Sequence, residues 1–504
     1  MFERGGRWIV MAAVCVLACA VAATAGPLQD DLTARRARLM ERLGPNAVAV
    51  FWSAEPKVFS LDVDYEFHQD SSFQYLTGIG QEGAILVLMP GNRTSKEILF
   101  VREPNPRREH WNGHLFTKDE AAAESGIKTV YHTGEFENFL TAVFNRRPYG
   151  LKRGEVTDNF DAFFEALAGN RATLALPLGP RPAPSAPLTP VYEFAAKARD
   201  RFVNVTFVDT FPLLADLRQI KTPYEQTLME KSAIISSKAH MAGMTAAGAG
   251  KFEYEVEAAI EQVYLANGAM SWGYPSIVGS GPNATILHYN ESSRQMQAGD
   301  LVLVDAAANY QGYTVDITRT YPVSGTFSEA QKDLYRLVLA AQEAGMAAAK
   351  IGAKTADVEK AAEAVVKPGL LKLGLITDVA GEQFRTWYTH GICHWIGMDV
   401  HDVGDYQKPL AAGMTFVVEP GIYVRPQALD NLDDTPDNRA FKTAVAAAVQ
   451  KYKGLGVRVE DSFLLTATGL TRLSATTPRT IEEVERHIKA TRVAAPAARP
   501  AARP

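Results

Sequence analysis

The sequence predicts an α+β chain in two units: an α/β domain over residues 27–210 and a larger α+β domain over 211–490. Three observations carry this. Strand-like and helix-like runs alternate through the first two hundred residues. The run PLGPRPAPSAPLTP (177–190) holds six prolines and is neither helix nor central strand. Just beyond it, near Phe211-Pro212, a new set of helix and hairpin signals begins and continues to about residue 490. A chain of 504 residues is long enough for two or three domains with sizeable cores.

In the first unit, DDLTARRARLMERL is a helix. AVAVFW (47–52), AILVLM (84–89) and ILFVRE (98–103) are strands, and DAFFEALAG (161–169) is another helix. The second unit opens on KTPYEQTLMEKSAIISSKAHMAGM. There Thr222 is the expected N-cap, Pro223 occupies the first helical position and Glu225 completes a capping box. Leu228, Met229, Ile235 and Ala239 follow as a helical stripe.

Two segments stand apart. Residues 1–25 carry Arg4 and Arg7, then the apolar WIVMAAVCVLACAVAA, then Ala23-Thr24-Ala25. That order is expected of a secretory signal peptide cleaved before Gly26, and hence of an exported protein, periplasmic or secreted. Lipidation at Cys19 is a weaker alternative, because the apolar run continues past it. The tail, 491–504, is rich in Ala, Pro and Arg and is expected to be disordered. Cleavage removes Cys15 and Cys19 and leaves Cys393, so no internal disulfide is expected. Cys393 is expected to be a small packing residue. The net charge of −5 shows no dominant basic patch and makes nucleic acid an improbable partner.

The chemistry is concentrated in the second unit. Residues 390–404, HGICHWIGMDVHDVG, hold His390, His394 and His401, three of the ten histidines. One such histidine is ordinarily a packed residue meeting a carbonyl. Three together, beside Asp399 and Asp402, point to a site without naming it. Carboxylates in apolar runs are the expected partners, since an unpaired buried charge is costly. LVLVDAAANYQGYTVDITRTYPV (301–323) reads as strand, turn and strand. A turn centred on Tyr310-Gln311 sets Asp305 and Asp316 directly opposite each other. Two carboxylates that close repel unless a cation or proton lies between them. FVVEPGIYV supplies Glu419 and LGVRVEDSFLL supplies Glu460, each in a strand-like run. Four carboxylates and a histidine make an oxygen-rich donor set of the kind that holds two Mn²⁺-like ions.

These stretches resemble the pita-bread metallopeptidases, above all the aminopeptidase P group, with prolidase as a close relative. VDAAANYQGYTVDITRTYPV, HGICHWIGMDVHDVG, VVEPGIY and GVRVEDSFLLT carry the resemblance. SIVGSGPNATILHYN (276–290) is similar to the family's substrate-facing loop, and YEFHQDSSFQYLTGI (65–79) to its creatinase/prolidase-type N-terminal domain. The resemblance implies a pita-bread catalytic domain and two divalent ions, Mn²⁺ first, with Co²⁺ or Zn²⁺ as alternatives. Asp305, Asp316, His394, Glu419 and Glu460 are the implied ligands, with Asp316 and Glu460 shared between the ions. His288, His390 and His401 are implied to face the substrate, Glu419 to move a proton, and Arg458 to support the site from behind.

The implied reaction is removal of the residue preceding proline from a peptide, and the implied assembly is a homo-oligomer. The segment between Tyr423 and Gly454 makes Arg425 and Arg439 candidates for reading the carboxylate of a dipeptide, as a prolidase would. A metal-free binding protein of the same fold is disfavoured, because all five ligand positions are intact.

Overall fold

A computed structural model describes residues 26–150, 152 and 154–494. The expected signal peptide lies outside the described residues.

The first unit is built on a six-stranded mixed sheet. Its order is Thr129–His132, Glu97–Val101, Ile85–Leu88, Ala47–Trp52, Ala172–Leu176, Val205–Asp209. Ala47–Trp52 runs antiparallel to Ile85–Leu88 and parallel to Ala172–Leu176. Both central strands are buried on both faces, which explains their unbroken apolar runs. The proline-rich run forms no strand and ends as a helix start: Thr189 caps the helix Pro190–Arg201, whose first residue is Pro190.

The second unit places helices around small antiparallel sheets. Thr222, Pro223 and Glu225 form the expected capping box of the helix Pro223–Ala246. Leu301–Asp305 pairs with Ile277–Ser280 on one side and Thr318–Pro322 on the other. Thr415–Val418 pairs with Asp461–Thr466, and Gly421–Tyr423 with Gly456–Arg458. The segment beyond Tyr423 forms a helix, Pro436–Tyr452, that packs into the core through Phe441, Val445 and Val449.

One apolar cluster crosses between the units. It joins Phe51, Phe73 and Leu76 of the first to Met229, Val315, Ile317, Ile396 and Met398 of the second. Val315 and Ile317 therefore point toward the first unit, and the intervening Asp316 points the other way.

Two expectations need correction. The turn after Asp305 is centred on Gln311-Gly312, not Tyr310-Gln311; Tyr310 pairs with Tyr313. Gln311 and Gly312 have φ of 52° and 81°, the left-handed pair that a two-residue hairpin turn needs and that glycine supplies without strain. Asp305 accordingly faces Thr318, not Asp316. The slip is two residues, so the side-chain face is kept and Asp316 stays on the Asp305 side. Second, the expected tail begins too early. The final helix runs Ile481–Ala494, and Arg492 in it donates to the carbonyls of Ala247 and Val323. Residues 495–504 lie outside the described residues.

Candidate metal centre

Each of the four carboxylates stands where a strand ends or breaks. Asp305 is the last residue of Leu301–Asp305, and Asp316 precedes Thr318–Pro322. Glu419 sits between Thr415–Val418 and Gly421–Tyr423. Glu460 sits between Gly456–Arg458 and Asp461–Thr466 rather than inside one strand.

Among the described residues, the donor atoms of Asp305, Asp316 and Glu460 lie within 4.8 Å of one another. So do those of His394, Glu419 and Glu460, and those of Asp316, His394 and His401. His394 Nε2 is 3.5 Å from both Asp316 Oδ2 and Glu419 Oε1, and 3.9 Å from Glu460 Oε1. The structure thus brings all five sequence-derived ligand candidates to one place, together with His401.

The cluster is not balanced by protein charge. Arg458 is the cation inside it, donating to Asp305 Oδ2 at 2.5 Å, Thr318 Oγ1 at 3.0 Å and Tyr423 Oη at 2.8 Å. Burial pushes the Asp305 carboxyl up, but Arg458 and the Tyr274 hydroxyl outweigh it and hold the group below its usual range. Burial, then the neighbouring carboxylates, push Asp316, Glu419 and Glu460 well above theirs. Burial also lowers His394 to about 4, leaving it neutral with a free lone pair at neutral pH. Glu460 Oε1 is buried and has no hydrogen-bond partner among the described residues. An orphaned carboxylate oxygen among three other carboxylates and a neutral imidazole is a donor set that a divalent cation completes.

The remaining candidates surround this core. His390 Nε2 meets Tyr423 Oη at 2.8 Å, and its Nδ1 lies 3.7 Å from Glu419 Oε2. His401 packs edge-on against His394, ring centroids 4.3 Å apart. His288 is exposed and lines a cavity of about 370 Å³ with Asn283, Ile286, Tyr289 and Glu291. Burial, followed by His288, lowers His401. Arg425 is exposed, and Arg439 is exposed and paired with Asp434 of its own segment at 2.8 Å. Asp399 and Asp402 bond Arg218 and Lys221 instead of joining the donor set. Cys393 is free and packs against the core, and burial pushes its thiol up.

Sequence reasoning missed Tyr274. Its hydroxyl contacts Asp305 Oδ1 at 2.7 Å and Asp316 Oδ1 at 2.5 Å. A hydroxyl has one proton, so it donates to one of the two aspartates at a time. It also missed Tyr423, which ties His390 to Arg458, and Thr318, which donates to Glu460 Oε2 at 2.6 Å. A lone tyrosine in WGYPS gives no pattern to find, but Tyr423 lies four residues after Glu419 in a stretch already singled out.

Buried carboxylates around a neutral imidazole define a divalent-metal centre as the class. Residues 227–467 match metallopeptidase family M24, and residues 32–151 match the aminopeptidase P N-terminal domain. The chain is 31% identical to the Xaa-Pro aminopeptidase of Escherichia coli K12, across 91% of this chain and 97% of that one. It is 29% identical to human Xaa-Pro aminopeptidase 3, across 92% and 86%. The solved structure of Pseudomonas aeruginosa aminopeptidase PepP superposes with a TM-score of 0.78 at 32% identity, covering 93% of this chain and 100% of that chain. The chain belongs to the M24 metallopeptidases, in their two-domain form with an aminopeptidase P N-terminal domain.

Proposed function

We propose that the chain hydrolyses the Xaa-Pro bond at the N-terminus of peptides whose second residue is proline. The observation that carries this is the unbalanced carboxylate cluster with its orphaned Glu460 oxygen, in a chain similar along most of its length to Xaa-Pro aminopeptidases. Asp305, Asp316, His394, Glu419 and Glu460 hold two divalent ions. The hard oxygen-rich set favours Mn²⁺, with Co²⁺ and Zn²⁺ as alternatives. Bound there, the ions supply Lewis acidity and an activated water.

The protein's own groups do the rest. Glu419, 3.5 Å from His394 Nε2 and 3.7 Å from His390 Nδ1, relays a proton to the departing proline nitrogen. His390, lowered to about 4 by burial and Arg458, stays neutral and is steadied by Tyr423. With His401 and His288 it faces the substrate and stabilises the developing oxyanion or leaving group. Arg458 and Tyr274 fix the orientation of Asp305. Proline gives the specificity its reason: the bond has no amide N–H and a fixed φ, so recognition rests on a shaped cavity rather than on backbone pairing.

The test is cleavage by the metal-stripped, Mn²⁺-reloaded chain of an Xaa-Pro dipeptide and an Xaa-Pro-Xaa tripeptide side by side. Comparable or faster cleavage of the tripeptide is expected. Cleavage of the dipeptide alone makes the chain a prolidase, and cleavage of neither overturns the reading.

Two further points belong to this proposal. The mature protein is exported with Gly26 as its first residue; N-terminal sequencing of the native protein checks this, and an intact Met1 or an acylated Cys19 contradicts it. The chain also works as a homo-oligomer. Phe59, Leu61 and Val63 lie on the short hairpin Val58–Ser60 and Val63–Asp64 and are each more than half exposed, an apolar tip that a second copy would cover. Light scattering is expected to give a multiple of 54.9 kDa less the signal peptide.

A further inference from the structure

A second buried charge cluster lies beside the histidine loop. Arg218 belongs to the helix Phe211–Gln219, in the stretch 152–226 that neither family match covers. Its Nη2 donates to Asp399 Oδ2 at 2.6 Å and to Asp402 Oδ1 at 2.5 Å. Lys221 Nζ donates to Asp402 Oδ2 and to the Arg218 carbonyl, both at 2.7 Å. Toward the first unit, Arg218 Nη1 reaches Ser72 Oγ at 3.3 Å, and Ser71 Oγ donates to Asp399 Oδ1 at 2.8 Å. Ser71 and Ser72 open the helix Ser71–Thr77, whose Phe73 and Leu76 pack in one cluster with Ile396 and Met398.

The two aspartates flank His401 in sequence and follow His394 in the same loop. Asp402 N–H donates to the Trp395 carbonyl at 2.9 Å, closing that loop on itself. Gly397 lies against the cluster, where a Cβ would meet Asp402 Oδ2 at 2.1 Å and Lys221 Nζ at 2.7 Å. One guanidinium therefore touches the first unit and the aspartates on either side of His401, and Asp402 in turn bonds the carbonyl of Trp395, the residue after His394.

We propose that Arg218 is a positioning residue: docking of the first unit, relayed through Ser71, Ser72 and Arg218, sets where His394 and His401 stand. The inference rests on the metal-centre reading and deepens it, since it gives the N-terminal domain a role in building the His394 side of the donor set. Asp305, Asp316 and Glu460 come from strands that Arg218 does not bond, so the two sides of the centre respond differently. A clamp serving stability alone leaves that difference absent.

The test uses the full chain with Ser71→Ala, Asp399→Asn and Arg218→Lys. Each is titrated with Mn²⁺ after metal stripping, and kcat and KM are measured on an Xaa-Pro tripeptide. Lysine keeps the charge but lacks the fork that bonds Ser72 and both aspartates together. Arg218→Lys is expected to weaken one Mn²⁺ site about tenfold or more, leave the other near wild type, and lower kcat more than it raises KM. Ser71→Ala and Asp399→Asn are expected to shift the same site in the same direction by less. If the three variants lower the melting temperature while both Mn²⁺ affinities and kcat/KM stay at wild-type values, the proposal is overturned. Should Arg218→Lys fail to fold, Ser71→Ala and Asp399→Asn decide by the same criterion. Wild-type protein that binds no Mn²⁺ overturns the metal-centre reading and this proposal with it, whereas two wild-type sites unmoved in the variants overturn this proposal alone.

Discussion

Glu460 and Asp461 are neighbours in sequence and opposites in circumstance. Both are buried carboxylates. Asp461 points to the back of the strands, where Arg319 Nη2 donates to it at 2.7 Å, Ser474 Oγ at 2.5 Å and Gln342 Nε2 at 3.0 Å. Arg319 also donates to the Glu460 carbonyl at 2.5 Å and the Pro478 carbonyl at 2.8 Å, and Arg472 Nη1 lies 3.7 Å from Asp461 Oδ2, so the Asp461 carboxylate has cations and hydrogen-bond donors of its own. Glu460 points forward into three more carboxylates, with Arg458 alone against them and one oxygen without a partner. Buried charge is tolerated when it is paired and bonded. The rear obeys that rule as the protein stands; the front obeys it only with cations supplied from outside. Burial of charge is thus no mark of function in this chain, and imbalance is.

The comparison breaks most completely at Asp316 and Glu460, each of which belongs to two of the candidate ligand groups. Asp316→Asn or Glu460→Gln is expected to abolish Mn²⁺-dependent hydrolysis while raising the melting temperature of the metal-free protein, because each replaces a carboxyl that burial and its neighbours make costly to ionise with a neutral amide. Calorimetry on stripped protein checks the second half, and a lowered melting temperature would place front and rear on the same footing. Next is Arg319→Met at the rear. It leaves Asp461 only the longer 3.7 Å contact to a cation, Arg472, and is expected to cost about 3 kcal/mol of stability, read by denaturant unfolding.

Glu419→Gln is expected to lower kcat by roughly 10²–10⁴-fold with the fold intact, measured on the tripeptide. Tyr274→Phe keeps the ring and removes the hydroxyl shared by Asp305 and Asp316; a loss of about 10–100-fold in metal affinity or activity is expected.

The smallest effect is a slope. Asp316, Glu419 and Glu460 are held above their unfolded values, so their contribution to metal-free stability is present below the ordinary carboxylate range and lost as pH rises through the folded values. Stripped protein is expected to lose melting temperature over that rise, and protein loaded with Mn²⁺ to lose less.

Much of this was legible in the sequence, and the reasons differ by element. The helix at Pro223 announces itself because capping is local chemistry: Thr222, Pro223 and Glu225 suffice. The five ligand candidates stand out because carboxylates in apolar runs are costly without a purpose. The turn at Gln311-Gly312 was misplaced by one residue because Tyr-Gln and Gln-Gly compete on periodicity, and only the need for positive φ separates them. Asp399 and Asp402 looked like site residues beside three histidines. Their partners, Arg218 and Lys221, lie some 180 positions earlier, and no local pattern links them. Tyr274 was silent for the same reason: its meaning comes from two aspartates on other strands.

The most direct measurement is Mn²⁺ binding to the stripped protein near neutral pH, with the protons released counted in the same titration. The account predicts two ions per chain and net proton release, because raised carboxyls must give up their protons to become ligands. Binding of two ions with no proton release would contradict the claim that Asp316, Glu419 and Glu460 are held above the usual carboxylate range. Binding of none would contradict the claim that this face is a metal centre at all.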